Sequence, residues 1–245
     1  MKFLFVFILN YIILFGGEFR IITEDLPPYN YKAGKELKGI SVDMVNIILD
    51  ELGYKNEMIE VYPWSRGLKI LGSNDNAILF STVYSEQRAK KYKFACPLVP
   101  SEIYFYKNKN NHIKIETFKD LKKVQEIGVV KDFYDHQKLK SLGFTNLDIS
   151  SYYKTAILKL ARGKVDLIVG SKIDLYFNKP KQIDISQLEN TGLLFNKSNL
   201  CIAFNKNFPD EEVQKWRDIL KKIHNSGKYV KIFNNYLEYG KNLEH

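Results

Sequence analysis

His112, His136 and His224 stand alone in this sequence, with no Ser/His/Asp order, metal-ligand spacing or phosphate-binding loop around them. Nucleophilic, metal-assisted and phosphoryl chemistry each need such groups at set distances from one another. Cys96 and Cys201 are the only cysteines, far apart and without a CxxC or Cys/His cluster, so metal and thiol chemistry are poorly supported. Two readings of the pair stay open: a disulfide in an oxidising compartment, or two buried free thiols. Groups suited to recognition are easier to find. Glu24 and Asp25 lead into the turn-forming Leu26-Pro27-Pro28-Tyr29, where they can meet a cationic or hydroxylated group, and Tyr29 is a candidate wall. Arg66, at the start of an expected helix, can supply a positive charge.

The elements that must position these groups follow from periodicity. Glu18-Thr23 alternates into a strand that stops at the acidic, Pro-rich loop. From Ser41 to Leu52 the residues Met44, Val45, Ile48, Leu49 and Leu52 recur at helical spacing, with Ser41 as the expected cap and Gly53 as the stop. A strand over Met58-Tyr62, a short helix over Trp64-Leu71 and a strand over Ala77-Phe80 come next. This β-α-β-α-β order predicts a parallel sheet with helices on its faces, because parallel strands need crossovers of that length.

The same grammar returns in strand Ile127-Val130, helices over Asp135-Leu142 and Tyr152-Arg162, and strand Val165-Val169. Two α/β lobes of similar build are therefore expected. The extended segments Ile103-Tyr106 and Leu200-Phe204 are the candidate hinge. Amphipathic helices over Glu211-Ser226 and Lys228-Leu237, with no strand after them, should pack back on the first lobe.

Composition narrows the class further. The chain of 245 residues is 45% hydrophobic, which is enough for one large domain or two modest lobes with their own cores. Its first seventeen residues run from Met1-Lys2 through an apolar stretch, Phe3 to Phe15, to Gly16-Gly17, in the order of a secretory signal. That stretch is short of the roughly twenty residues a bilayer span needs, so export to the periplasm or exterior is expected. Leu243-Glu244-His245 reads as the remnant of a purification tag. The net charge of +9 comes from lysines scattered along the chain, which argues for a lightly basic surface and against nucleic-acid binding.

A longer series of marks carries a resemblance: Ile22-Thr-Glu-Asp-Leu-Pro-Pro-Tyr29, Gly39-Ile-Ser-Val-Asp43, Pro63-Trp-Ser-Arg66, Ser85-Glu-Gln-Arg88 before Phe94, Leu142-Gly143, Gly163-Lys-Val-Asp166 and Ser226-Gly-Lys-Tyr229. Over nearly all of Glu18 to Lys241 the chain resembles the family 3 extracellular solute-binding proteins of bacterial amino-acid and polar-solute ABC transporters. The resemblance implies a type II periplasmic-binding fold of two three-layer lobes with a cleft and a two-strand hinge. Residues 18–100 and 200–241 would form the first lobe, and 101–199 the inserted second. It also implies a monomer that needs no cofactor, closes on a small polar ligand bearing a carboxylate, and docks on a membrane permease.

In the family the Arg at the place of Arg88 grips a ligand carboxylate, to both of whose oxygens a guanidinium offers parallel donors. An aromatic ring at the place of Trp64 lies against the ligand. Ser81 and Ser85 belong to the same segment. Two departures stand out. Ser171 occupies the place of an Asp that would take an ammonium, and Asp132-Phe133-Tyr134 replaces a turn of small donors. Asp132 is then a candidate cation acceptor, Phe133 a bulky wall and Ser171 a neutral one. The alternatives are a ligand-sensing input domain and a dehydratase-like enzyme in which Glu24, Asp132 or Asp174 beside Arg88 protonates a leaving hydroxyl. A structural or adhesive secreted protein would have no saturable site.

Overall fold

The computed structural model describes residues 19–54 and 58–242. The expected secretory segment, residues 1–17, and the tag remnant, 243–245, lie outside the described residues. Strand β1 (Arg20–Thr23) is followed by the hairpin β2 (Tyr31–Ala33) and β3 (Glu36–Lys38), helix α1 (Ile40–Leu52), β4 (Ile59–Val61), α2 (Trp64–Ser73), β5 (Ala77–Val83) and the short α3 (Glu86–Ala89). A long strand β6 (Tyr92–Asn108) leads into β7 (Ile127–Val130), α4 (Tyr134–Ser141), β8 (Leu147–Ser150), α5 (Tyr153–Ala161), β9 (Leu167–Gly170) and α6 (Lys172–Asn178). A second long strand, β10 (Leu188–Asn205), returns to the helices α7 (Asp210–Asn225) and α8 (Lys228–Asn242).

Eight strands join in the order β4-β1-β5-β10-β6-β9-β7-β8. The pairs β1·β4, β1·β5, β7·β8 and β7·β9 are parallel, as the crossovers require, while β6 and β10 run antiparallel to each other through the middle. Each end of the sheet carries apolar clusters of its own. Ile21, Ile78, Phe80, Phe204 and Trp216 pack with α1 and α7 at one end; Phe105, Ile127, Val129 and Leu167 centre the other. The architecture is the type II periplasmic-binding fold, two lobes joined by a pair of strands.

The candidate hinge segments sit differently from their expected place. Tyr104–Lys107 pairs with β9, and Leu200–Phe204 pairs with β5, so both lie inside a lobe's sheet. What spans the middle is the stretch between them, where 99–103 of β6 runs beside 196–200 of β10 with a register shift at Leu194/Asn196. Ser41 is not the cap of α1. Its hydroxyl is buried without a partner, and Gly39 stands at the N-cap. The open N–H groups of the first turn are taken by carbonyls of the Pro-rich loop instead: Ile40 donates to Pro28 at 3.0 Å and Ser41 to Tyr29 at 2.9 Å. Gly39 makes this approach possible, since a Cβ there would stand 2.2 Å from the Tyr29 carbonyl oxygen. Cys96 of β6 and Cys201 of β10 are joined as a disulfide, which settles the open question of the pair.

Candidate ligand-binding site

The parallel strands of both lobes aim their C-terminal ends at one cavity of about 80 Å³. Open α/β sheets place their binding crevices at such ends. Glu24 leaves β1, Trp64 follows β4, Ser81 lies near the end of β5, and Phe133 to Asp135 follow β7. By the same measure one water needs roughly 10–15 Å³, so the space suits a small molecule.

The loop pinned on α1 turns Tyr29 inward, and buried Asn30 ties the first lobe's side of the cavity together. Its amide donates to the Glu24 carbonyl at 2.7 Å while its side-chain oxygen accepts from Ser81 Oγ at 2.5 Å. Ser81 holds the left-handed φ of 60° to make that contact. Glu24 is 8% exposed, and burial pushes its carboxyl up to about 8 despite the nearby Arg88 charge.

Arg88 is 4% exposed, held by Ser85, whose hydroxyl caps α3 by accepting the Arg88 N–H at 3.2 Å. Desolvation lowers the guanidinium to about 10, against the raising effect of Asp135 first and of Glu24 further down. Trp64 donates its indole N–H to the Asp132 carbonyl at 2.7 Å, and the Arg88 guanidinium lies 5.3 Å from its ring. Phe133 meets Trp64 edge to face across the interface, with ring centroids 5.8 Å apart.

The second lobe contributes groups that sequence reasoning did not select for binding, although the enzyme alternative sets Asp174 beside Arg88. Asp135 lies in the first turn of α4, where its own N–H and that of His136 stabilise the carboxylate, yet burial still raises it to about 7. Asp174 also lines the cavity, with one carboxylate oxygen accepting from the Ser171 N–H and the other buried without a hydrogen-bond partner, and burial raises it as well. Tyr153 closes the floor with its hydroxyl against Gly170, where any Cβ would fall 1.8 Å from that oxygen. Among the described residues, then, three carboxyl groups and one guanidinium line the cavity.

Of the residues expected at the site, Glu24, Tyr29, Trp64, Ser81, Arg88 and Phe133 line this cavity. The others do not. Asp25 is exposed on the loop, and Arg66 is exposed with its guanidinium over the Tyr62 ring at 4.3 Å. Ser85 acts behind Arg88 as its helix cap. The Asp132 carbonyl accepts from Trp64 and Arg88, and its carboxylate, part-exposed, lies 3.9 Å from His136 Nδ1. Ser171 caps α6 in a reciprocal box with Asp174, so the carboxylate missing at position 171 is supplied three residues later.

The description of bacterial extracellular solute-binding proteins, family 3, matches residues 20–239. A probable histidine-binding protein of Neisseria gonorrhoeae is 27% identical over 90% of this chain and 83% of its own length. An arginine-binding periplasmic protein of Mannheimia haemolytica is 26% identical over 89% of this chain and 90% of its own. Among solved structures, a histidine kinase sensor domain with similarity to periplasmic binding proteins superposes with a TM-score of 0.75 at 19% identity, covering 89% of this chain and 96% of that one.

Proposed function

Because this chain belongs to the bacterial extracellular solute-binding proteins, family 3, we propose that it captures a small cationic solute between its lobes, outside the cytoplasm, and delivers it unchanged to an ABC permease. In this reading residues 18–100 and 200–241 form one lobe and 101–199 the other, and the protein works as a monomer. The supporting observation is the charge of the cavity, where Glu24, Asp135 and Asp174 face the single guanidinium of Arg88. Buried carboxylates without enough positive charge are costly, and a ligand ammonium or guanidinium offsets that cost. Both curated relatives are described as binding basic amino acids, histidine and arginine.

The ligand-contacting set we infer is Glu24, Tyr29, Trp64, Ser81, Arg88 and Phe133 from one reading of the sequence, joined by Tyr134, Asp135, Tyr153 and Asp174 from the cavity. Binding proceeds without turnover. The test is a thermal-shift and calorimetric screen of the purified protein against basic, neutral and acidic amino acids, amines and organic acids, since a native-state ligand raises the melting temperature by mass action. Basic solutes should shift it dose-dependently and be recovered intact. A shift confined to organic acids would end the charge argument, and a chemically altered ligand would favour the enzyme.

A further inference from the structure

Tyr153 and Asp174 line the cavity from the second lobe, and each keeps a buried oxygen without a hydrogen-bond partner: the Tyr153 hydroxyl and Asp174 Oδ1. Buried polar atoms are nearly always paired, so two orphans in one cavity point to a partner from outside the chain. Both groups are placed by the C-terminal end of β9. Tyr153 opens α5 and rests its hydroxyl on Gly170, the last residue of β9, where a Cβ would stand 1.8 Å from that oxygen. Asp174 lies in the first turn of α6, where Oδ2 accepts the Ser171 N–H at 3.0 Å, so the reciprocal cap orients the carboxyl and leaves Oδ1 over. Burial first and Asp174 next raise the Tyr153 hydroxyl well above its ordinary range, which sets the two groups within electrostatic reach of each other.

An N–H donor satisfies both oxygens. A carboxyl and a phenol offer acceptor lone pairs whether or not the carboxyl is ionised, so the pairing does not depend on the proton that burial retains. A nitrogen carrying two or more N–H bonds can meet both oxygens at once. A fully methylated cation has none to give, and would seal the two oxygens away from any donor. It would have to rely on aromatic faces instead, and the Trp64 ring already has the Arg88 guanidinium 5.3 Å from its centroid, still charged at neutral pH because desolvation lowers it only to about 10. Resting on the cationic-ligand reading above, we propose that Tyr153 and Asp174 form a subsite that reads N–H groups, so that the cleft takes a primary amine or a guanidine and rejects fully methylated cations.

The test is titration calorimetry at pH 8 on arginine, lysine, histidine and cadaverine, each against its fully N-methylated counterpart, with the wild type and with Tyr153→Phe. In the best-binding pair methylation should raise Kd about a hundredfold or more, since a site built to hydrogen-bond an N–H rejects the analogue that lacks it. Tyr153→Phe should raise the Kd of the parent ligand at least tenfold and narrow that ratio. The melting temperature of the unliganded variant should hold, because the lost oxygen had no partner in the chain. A methylated cation that binds as tightly as its parent, or a parent Kd unchanged in Tyr153→Phe, overturns the proposal and leaves the cationic-ligand reading standing. If neither member of any pair binds, both fall together.

Discussion

At the scale of single residues, the informative groups are acids whose proton is retained by burial. Glu24 titrates at about 8 and Asp135 at about 7 in the closed cleft, each raised chiefly by desolvation. Carboxyls in an unfolded chain titrate near 4. The folded protein therefore binds protons that the unfolded chain has released, and the unliganded fold loses stability as pH rises from about 4 through 8. A bound cation favours the ionised forms and reverses this linkage. Affinity for a cationic ligand should rise between pH 5 and 8, and calorimetry in buffers of different ionisation heat should detect protons released at pH 7; a flat profile with no release would mean that no cation reaches these acids. Asp135→Asn should weaken the same ligand by about 2 to 5 kcal/mol, as for one partner of a buried charge pair. The sequence marked Glu24, Arg88 and Trp64 because each sits within a recognisable run. Asp135 carries no signal, and Asp174 enters only as an acid of the enzyme alternative: nothing local distinguishes an acid in a helix's first turn that faces solvent from one that faces a cleft built by the other lobe.

Among the elements, the units that repeat locally were the legible ones. Helix, strand, helix and strand in α1, β4, α2 and β5 follow from periodicity within a short window, and Gly53 ends α1 with the left-handed φ of 80° that its place after the helix suggests. The strands β6 and β10 were read only in fragments, because their length comes from pairing with each other across about a hundred residues, which no short window contains. The capping of α1 by the Pro28 and Tyr29 carbonyls escaped for the same reason, a tertiary contact replacing the local cap. The disulfide joins these two strands, and its cysteines are 105 residues apart in the chain. Closing a loop of about that length restricts the unfolded chain by about 4 to 5 kcal/mol in the chain-entropy account. The double variant Cys96→Ala/Cys201→Ala should therefore lower the urea midpoint and raise the slope, because the unfolded chain without the cross-link exposes more surface, and the wild type under reductant should follow it. Equal midpoints for all three would deny the bond a stabilising role.

For the whole molecule, the hydrogen bonds between lobes are few and stand beside apolar contacts such as Trp64 against Phe133. Trp64 and Arg88 meet the Asp132 carbonyl, Arg88 meets Gln137, and Asn178 Nδ2 donates to the Pro27 carbonyl at 2.7 Å. A handful of hydrogen bonds, each worth about 1 kcal/mol net, sets a modest gap between closed and open forms. A ligand shifts that balance only by binding the closed form better. Acids from both lobes meet in the cavity, and their raised proton affinity depends on burial, so opening the cleft lowers it. The unliganded protein should then open progressively as pH rises from 5 to 8.5, seen as an increase in radius of gyration by solution scattering. Saturating cationic ligand at pH 8.5 should return it to the compact value, because the ligand replaces the protons as the source of neutralising charge. A radius unchanged by both pH and ligand would describe a rigid binder, and the buried acids would then serve recognition alone.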